Sequence, residues 1–109
     1  MAAIASECAA VQGRFEAFHD LLYAEQTSIG LVRYTEFAAR AGVVDTVAFG
    51  RCLSDPAIRT RLDEDRAAAD RLGVRGTPTV LVNSQRFAGG RPADWIANLV
   101  RTELAAAGR

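Results

Sequence analysis

The chain has 109 residues, half of them hydrophobic, and thirteen basic groups balance thirteen acidic ones. That length suits one domain with a real core and not two. The hydrophobic content excludes a disordered chain, and neutrality argues against a nucleic-acid partner, where affinity comes from neutralising phosphates. Every cation is arginine, which together with the alanine content speaks of codon usage rather than function. The first twelve residues contain Glu7 and no basic stretch followed by an apolar run, so no signal peptide is expected there. No stretch nears the roughly 18 apolar residues of a membrane span. On this reading the chain stays in the cytoplasm, or works outside it if a segment precedes Met1.

In chain order, residues 2–12 are alanine-rich and favour a helix, broken at Gly13. Residues 14–25 place Phe15, Phe18 and Leu22 on one helical face. A helix over 32–41 is stopped by Gly42, and Asp45 is a good N-cap for a short helix through Leu53. Asp55 caps again, with Pro56 in the first turn of a long helix reaching about Leu72. Ile58, Leu62, Ala69 and Leu72 should face inward, and Gly73 ends the helix. The period then changes. Thr79 to Val82 is β-branched and apolar and reads as a strand, Asn83-Ser84-Gln85 as a turn, and Arg86 to Ala88 as a second strand. Pro92 opens a last helix to about residue 106, with Trp95, Ile96, Leu99, Val100 and Leu104 as its apolar stripe.

The run from Gly73 through Gly76-Thr77-Pro78-Thr79 to Asn83 resembles the second half of a thioredoxin fold. Upstream, Cys8-Ala9-Ala10, Gln12 to Phe15, His19 to Tyr23, Phe49, Cys52-Leu53 and Asp65 to Leu72 resemble the helical insertion of the DsbA family of thiol-disulfide oxidoreductases. The resemblance implies an α+β, truncated thioredoxin-like fold in a single domain over 1–109. Residues 2–72 would be the helical insertion and 73–109 the C-terminal half of the core. It also implies a cis bond at Thr77-Pro78 and a peptide-binding loop at Gly76, Thr77 and Pro78. The family's Cys-x-x-Cys helix would lie before the point where this chain begins to match.

The two cysteines, Cys8 and Cys52, have 43 residues between them and cannot replace a Cys-x-x-Cys pair. Relatives that carry both cysteines suggest a structural disulfide; two buried thiols is the alternative, and redox catalysis a remote third. His19 is the only histidine and, with no nucleophile or carboxylate constellation pointing to it, reads as structural. No metal-ligand spacing occurs, and no cofactor is expected. Asp63-Glu64-Asp65 among Arg59, Arg61 and Arg66 reads as a solvated helix face, and Trp95 as core.

The expected function is that of a DsbA-like oxidoreductase relative inactive alone in disulfide exchange. The alternatives are a peptide- or protein-binding dimeric module and a glutathione-binding relative of kappa-class transferases and chromene-carboxylate isomerases. Without the first core strand, Thr79–Val82 would be an apolar open edge. A homodimer paired through that edge is therefore expected, with a peptide or protein as a further partner.

Overall fold

The computed structural model describes residues 1–108. The chain divides into two compact units, Met1–Arg66 and Ala67–Arg109.

The first unit is helical. Its elements are α1 (Ala2–Val11), α2 (Phe15–Ala24), a 3-10 turn (Gln26–Ser28), α3 (Tyr34–Arg40), α4 (Thr46–Cys52) and the start of α5 (Pro56–Arg71). Its core interlocks small and large side chains. Ala5, Cys8 and Ala9 of α1 are buried, as is Ala38 of α3, and these small residues let helices approach closely. The volume is then filled by Phe18, Phe37 and Phe49, one from each of α2, α3 and α4, all fully buried. Gly42 ends α3 with φ +87°. The Gly42 N–H bonds the Ala39 carbonyl and the Val43 N–H bonds that of Ala38, a paired closure that turns Val43 into the core.

Two caps hold as the sequence indicates. Asp45 Oδ1 accepts from the Ala48 N–H at 2.9 Å, and Asp55 Oδ1 from the Ala57 N–H at 2.9 Å. Gln12, just past α1, holds the same Asp45 by its backbone. Gln12 Nε2 donates to the Asp45 carbonyl at 2.9 Å, and the Asp45 N–H donates to Gln12 Oε1 at 3.0 Å. The Cys8 and Cys52 sulfurs are bonded, with their Cα atoms 5.8 Å apart, so α1 and α4 are joined covalently one helical turn from the Gln12 contact.

In the second unit β1 (Thr79–Val82) and β2 (Gln85–Ala88) form an antiparallel hairpin, followed by α6 (Ala93–Ala106). The register pairs Thr79 with Ala88, Val80 with Phe87, Leu81 with Arg86 and Val82 with Gln85. The turn is therefore only Asn83-Ser84, and Gln85 belongs to the strand rather than to the loop expected for it. Asn83 takes φ +53°, the left-handed conformation a two-residue hairpin turn requires and asparagine tolerates.

One carboxylate fastens this turn to α6. Glu103 accepts from Asn83 Nδ2 at 3.0 Å and from Gln85 Nε2 at 2.6 Å. Both bonds are charge-assisted. Glu103→Ala is expected to cost the hairpin about 1–2 kcal/mol, the lower end of the range for bonds to a charged group because the site is solvated. Hydrogen exchange at the Thr79–Ala88 amides reads this out as protection lost there and unchanged in α1–α4.

Five expectations need correction. The third helix begins at Tyr34, not at residue 32, and the fourth ends at Cys52. Phe15 is 43 % exposed, on the outer side of α2 and stacked on His19, so the inward face of that helix is Phe18 and Leu22, with Leu21 partly buried beside them. Leu72 is 51 % exposed and lies beyond the last helical residue, Arg71, where the chain has already begun to turn. Trp95, Val100 and Leu104 of the apolar stripe are also exposed, Trp95 at 38 %. The reason is geometric: a hairpin and one helix supply too few surfaces to enclose a side chain, and no described residue of 67–108 is fully buried.

Candidate functional site: the cis-proline loop

The loop after α5 is built by its ends. Gly73 has φ +73°; its N–H bonds the Asp70 carbonyl, and the Val74 N–H bonds that of Ala69. This stops the helix and turns the chain toward the hairpin. The positive φ favours glycine at position 73, and a Cβ there would lie 3.0 Å from Arg86 Nη1, so the guanidinium would have to shift slightly. Arg86, on β2, donates to the Leu72 carbonyl and latches the loop's entry to the sheet.

At the other end the Thr77–Pro78 peptide bond is cis. The Pro78 carbonyl accepts from the Gly89 N–H at 2.9 Å, which extends the ladder beyond the Thr79–Ala88 pair. Thr79 Oγ1 donates to the Gly76 carbonyl at 2.6 Å and closes the loop on itself. A cleft of about 370 Å³ results, lined among others by Arg75, Gly76, Thr77, Pro78, Arg86 and Gly89. Among the described residues no acceptor takes up the N–H groups of Arg75, Gly76 or Thr77. The cleft therefore offers backbone donors and guanidinium groups to whatever enters it. Beside it Phe87 meets Trp95 edge-on at 4.9 Å, and the Arg91 guanidinium lies 5.3 Å from the centre of the Trp95 ring.

The other residues singled out in the sequence do not assemble a site. Cys8 and Cys52 are spent on each other inside the helical unit, with Cys8 1 % exposed. His19 lies on the outer face of α2, its Nδ1 3.1 Å from Asp20 Oδ1 and its ring between Phe15 and Tyr23. Of the charged run on α5, Arg59 pairs with Asp63 at 3.7 Å one turn away, and Arg61 reaches Glu7 of α1 at 3.6 Å. Among the described residues no cluster of His, Cys, Asp and Glu could hold a metal ion. Among the described residues no helix is long and apolar enough to cross a membrane. The guanidinium groups of Arg75, Arg86 and Arg91 around the loop were not singled out from the sequence. Counting charge by segment instead of over the whole chain would have drawn attention to them.

Comparison with known proteins fits this geometry. Over 107 residues, 98 % of this chain, it is 36 % identical to Na(+)/H(+) antiporter NhaA 3 of Salinispora tropica. It is 34 % identical over 105 residues to Na(+)/H(+) antiporter NhaA 1 of Salinispora arenicola, and 34 % over 93 residues to the NhaA antiporter of Herminiimonas arsenicoxydans. The chain spans about one sixth of the length of these relatives, with 15–16 % of each covered. Residues 1–101 match the DSBA-like thioredoxin domain, and the six helices with one hairpin give an α+β thioredoxin-like fold. The chain belongs to the DSBA-like thioredoxin domain family, the family of thiol-disulfide oxidoreductases.

Proposed function

We propose that this chain holds an extended polypeptide at its cis-proline loop and performs no thiol-disulfide exchange of its own. The observation that carries the reading is the state of its sulfur. Exchange requires a thiolate to attack a disulfide. Both cysteines of the 109 residues are consumed in one bridge, and no Cys-x-x-Cys pair occurs among them. The loop retains free backbone donors beside a strand, the arrangement by which a sheet recruits an extended segment. We read both units as parts of one domain, with residues 73–109 carrying Gly76, Thr77 and Pro78 as the binding loop. The name antiporter belongs to the much longer relatives, and the reading concerns only the stretch they share with this chain.

An insulin-reduction assay with dithiothreitol as electron donor tests the first half. The expected rate with this chain is the uncatalysed background, unchanged by Cys52→Ala. Turnover above background that disappears in Cys52→Ala would overturn it.

One observation favours a second reading, a homodimer. In the two-stranded sheet β1 is paired on one side only, and Leu81 on it is exposed. Nothing blunts the edge except Pro78 at its start. Antiparallel pairing of Thr79–Val82 with a second copy would satisfy both edges at once. Light scattering at tens of micromolar should then give twice the monomer mass, and Val82→Lys should return the monomer. A monomeric parent chain under those conditions removes this reading and leaves the first intact.

A further inference from the structure

The neutrality of the chain conceals a division of charge. Residues 1–66 carry ten carboxylates against seven arginines, net −3, and residues 67–109 carry six arginines against three carboxylates, net +3. In the second unit the arginines gather at the cis-proline loop. Arg75 and Arg86 line the cleft, and Arg91 follows two residues after Gly89 on its wall.

Among the described residues no carboxylate pairs with any of these three. Arg86 donates to the Leu72 carbonyl, and Arg91 to the carbonyls of Ala88 at 3.5 Å and Gly90 at 3.3 Å. Such bonds fix a guanidinium in place but occupy only part of its five donors and neutralise none of its charge. Two of the unit's three carboxylate side chains are engaged elsewhere, and none is within ion-pair distance of these arginines. Glu103 holds Asn83 and Gln85, Asp94 accepts the Trp95 N–H at 3.0 Å, and Asp70 is exposed on α5. Among the described residues these three guanidinium groups are thus without an ion-pair partner, and all three residues are exposed.

We propose that the cis-proline cleft selects an extended polypeptide segment carrying acidic side chains. The inference rests on the polypeptide-binding reading above and adds what the segment must carry. The free N–H groups of Arg75, Gly76 and Thr77 take the segment's main-chain carbonyls. The guanidinium of Arg75, which makes no intramolecular bond among the described residues, takes a carboxylate alongside them. Arg86 and Arg91 add attraction at longer range, so that charge sets selectivity and encounter rate more than raw affinity.

The test uses the full chain and three fluorescein-labelled octapeptides in which Val alternates with Glu, with Gln or with Lys. Fluorescence anisotropy should show the Glu peptide binding at least about tenfold more tightly than the Lys peptide at low salt, with the difference shrinking as ionic strength approaches about 0.5 M. Arg75→Ala should weaken the Glu peptide by about two- to fivefold, the size of one exposed ion pair, and the Gln peptide by less. Equal affinity for all three peptides overturns the acidic selectivity while leaving polypeptide binding in place. If none of the three binds, both fail together. If the acidic helical unit of a second copy fills the cleft instead, scattering at low salt shows self-association that Arg75→Ala relieves, and the proposal is overturned in favour of self-recognition.

Discussion

Removal of the Cys8–Cys52 bridge is expected to cost the helical unit about 4 kcal/mol. The cysteines are 44 residues apart in sequence. Closing a loop of that length removes roughly this much free energy of chain entropy from the unfolded state. The size of the loss decides its consequence. A unit of 66 residues has a total stability of about 3–10 kcal/mol at the usual value per residue. Without the bridge it would stand near the edge of folding. Urea unfolding followed by far-UV circular dichroism checks this on the oxidised chain, the same chain in dithiothreitol, and a Cys8→Ala/Cys52→Ala variant. The midpoint should fall by roughly 2–4 M at an m-value of about 1–2 kcal/mol per M. The reduced chain and the variant should agree, apart from the small volume lost at Cys8, which is 1 % exposed. A loss below about 1 kcal/mol would mean that packing already confines the unfolded chain and the bridge adds little.

Phe18→Ala should be as damaging by a different route. Phe18 is fully buried in the helical core, and its ring centroid lies 5.7 Å from that of Phe49 on α4. Truncation removes a ring's worth of contacts and leaves a void lined by other side chains that are themselves fixed, which costs about 3–5 kcal/mol. Phe49→Ala should cost a similar amount. The double variant should lose less than the two combined, by about 0.5–1.5 kcal/mol, because the ring–ring contact is then lost once and not twice. Phe15→Ala is the control on the same helix. Being 43 % exposed, it should change stability by no more than about 0.5 kcal/mol. Thermal unfolding of the four variants under oxidising conditions separates these cases.

Much of the local structure is legible because single residues decide it. Asp45 and Asp55 announce helix starts through their own side chains, and Gly42 and Gly73 announce stops because few other residues accept their backbone. The hairpin is legible from Thr79-Val80-Leu81-Val82, though its turn is one residue shorter than the run of polar residues suggests, since Gln85 can pair and still reach Glu103. What escapes the sequence depends on assembly. Phe15, Leu72 and Trp95 satisfy the helical period, but a period gives a face and cannot say whether anything lies against it. Whether Cys8 and Cys52 are joined is equally open in the sequence, because their spacing fixes a loop length and not a meeting. The arginines of the candidate site are invisible for a further reason. Arg75 and Arg86 belong to a loop and a strand, and they line one cleft only when the hairpin brings those segments together, with Arg91 beside Gly89 at its margin.

The Gln12 clasp alters what the loss of the disulfide would mean. A side-chain amide presents donor and acceptor side by side, as a peptide unit does, and Gln12 uses both on the backbone of Asp45. A single sulfur–sulfur link sets how far apart two helices stand but lets them swivel about its bonds. Two hydrogen bonds from one amide to the backbone of one residue oppose that swivel. Separation and bearing of α4 relative to α1 are thus held by different chemistry, one that a reductant severs and one that it does not touch. In the molecules that stay folded in a reducing compartment, the fourth helix loses its mooring yet keeps its heading.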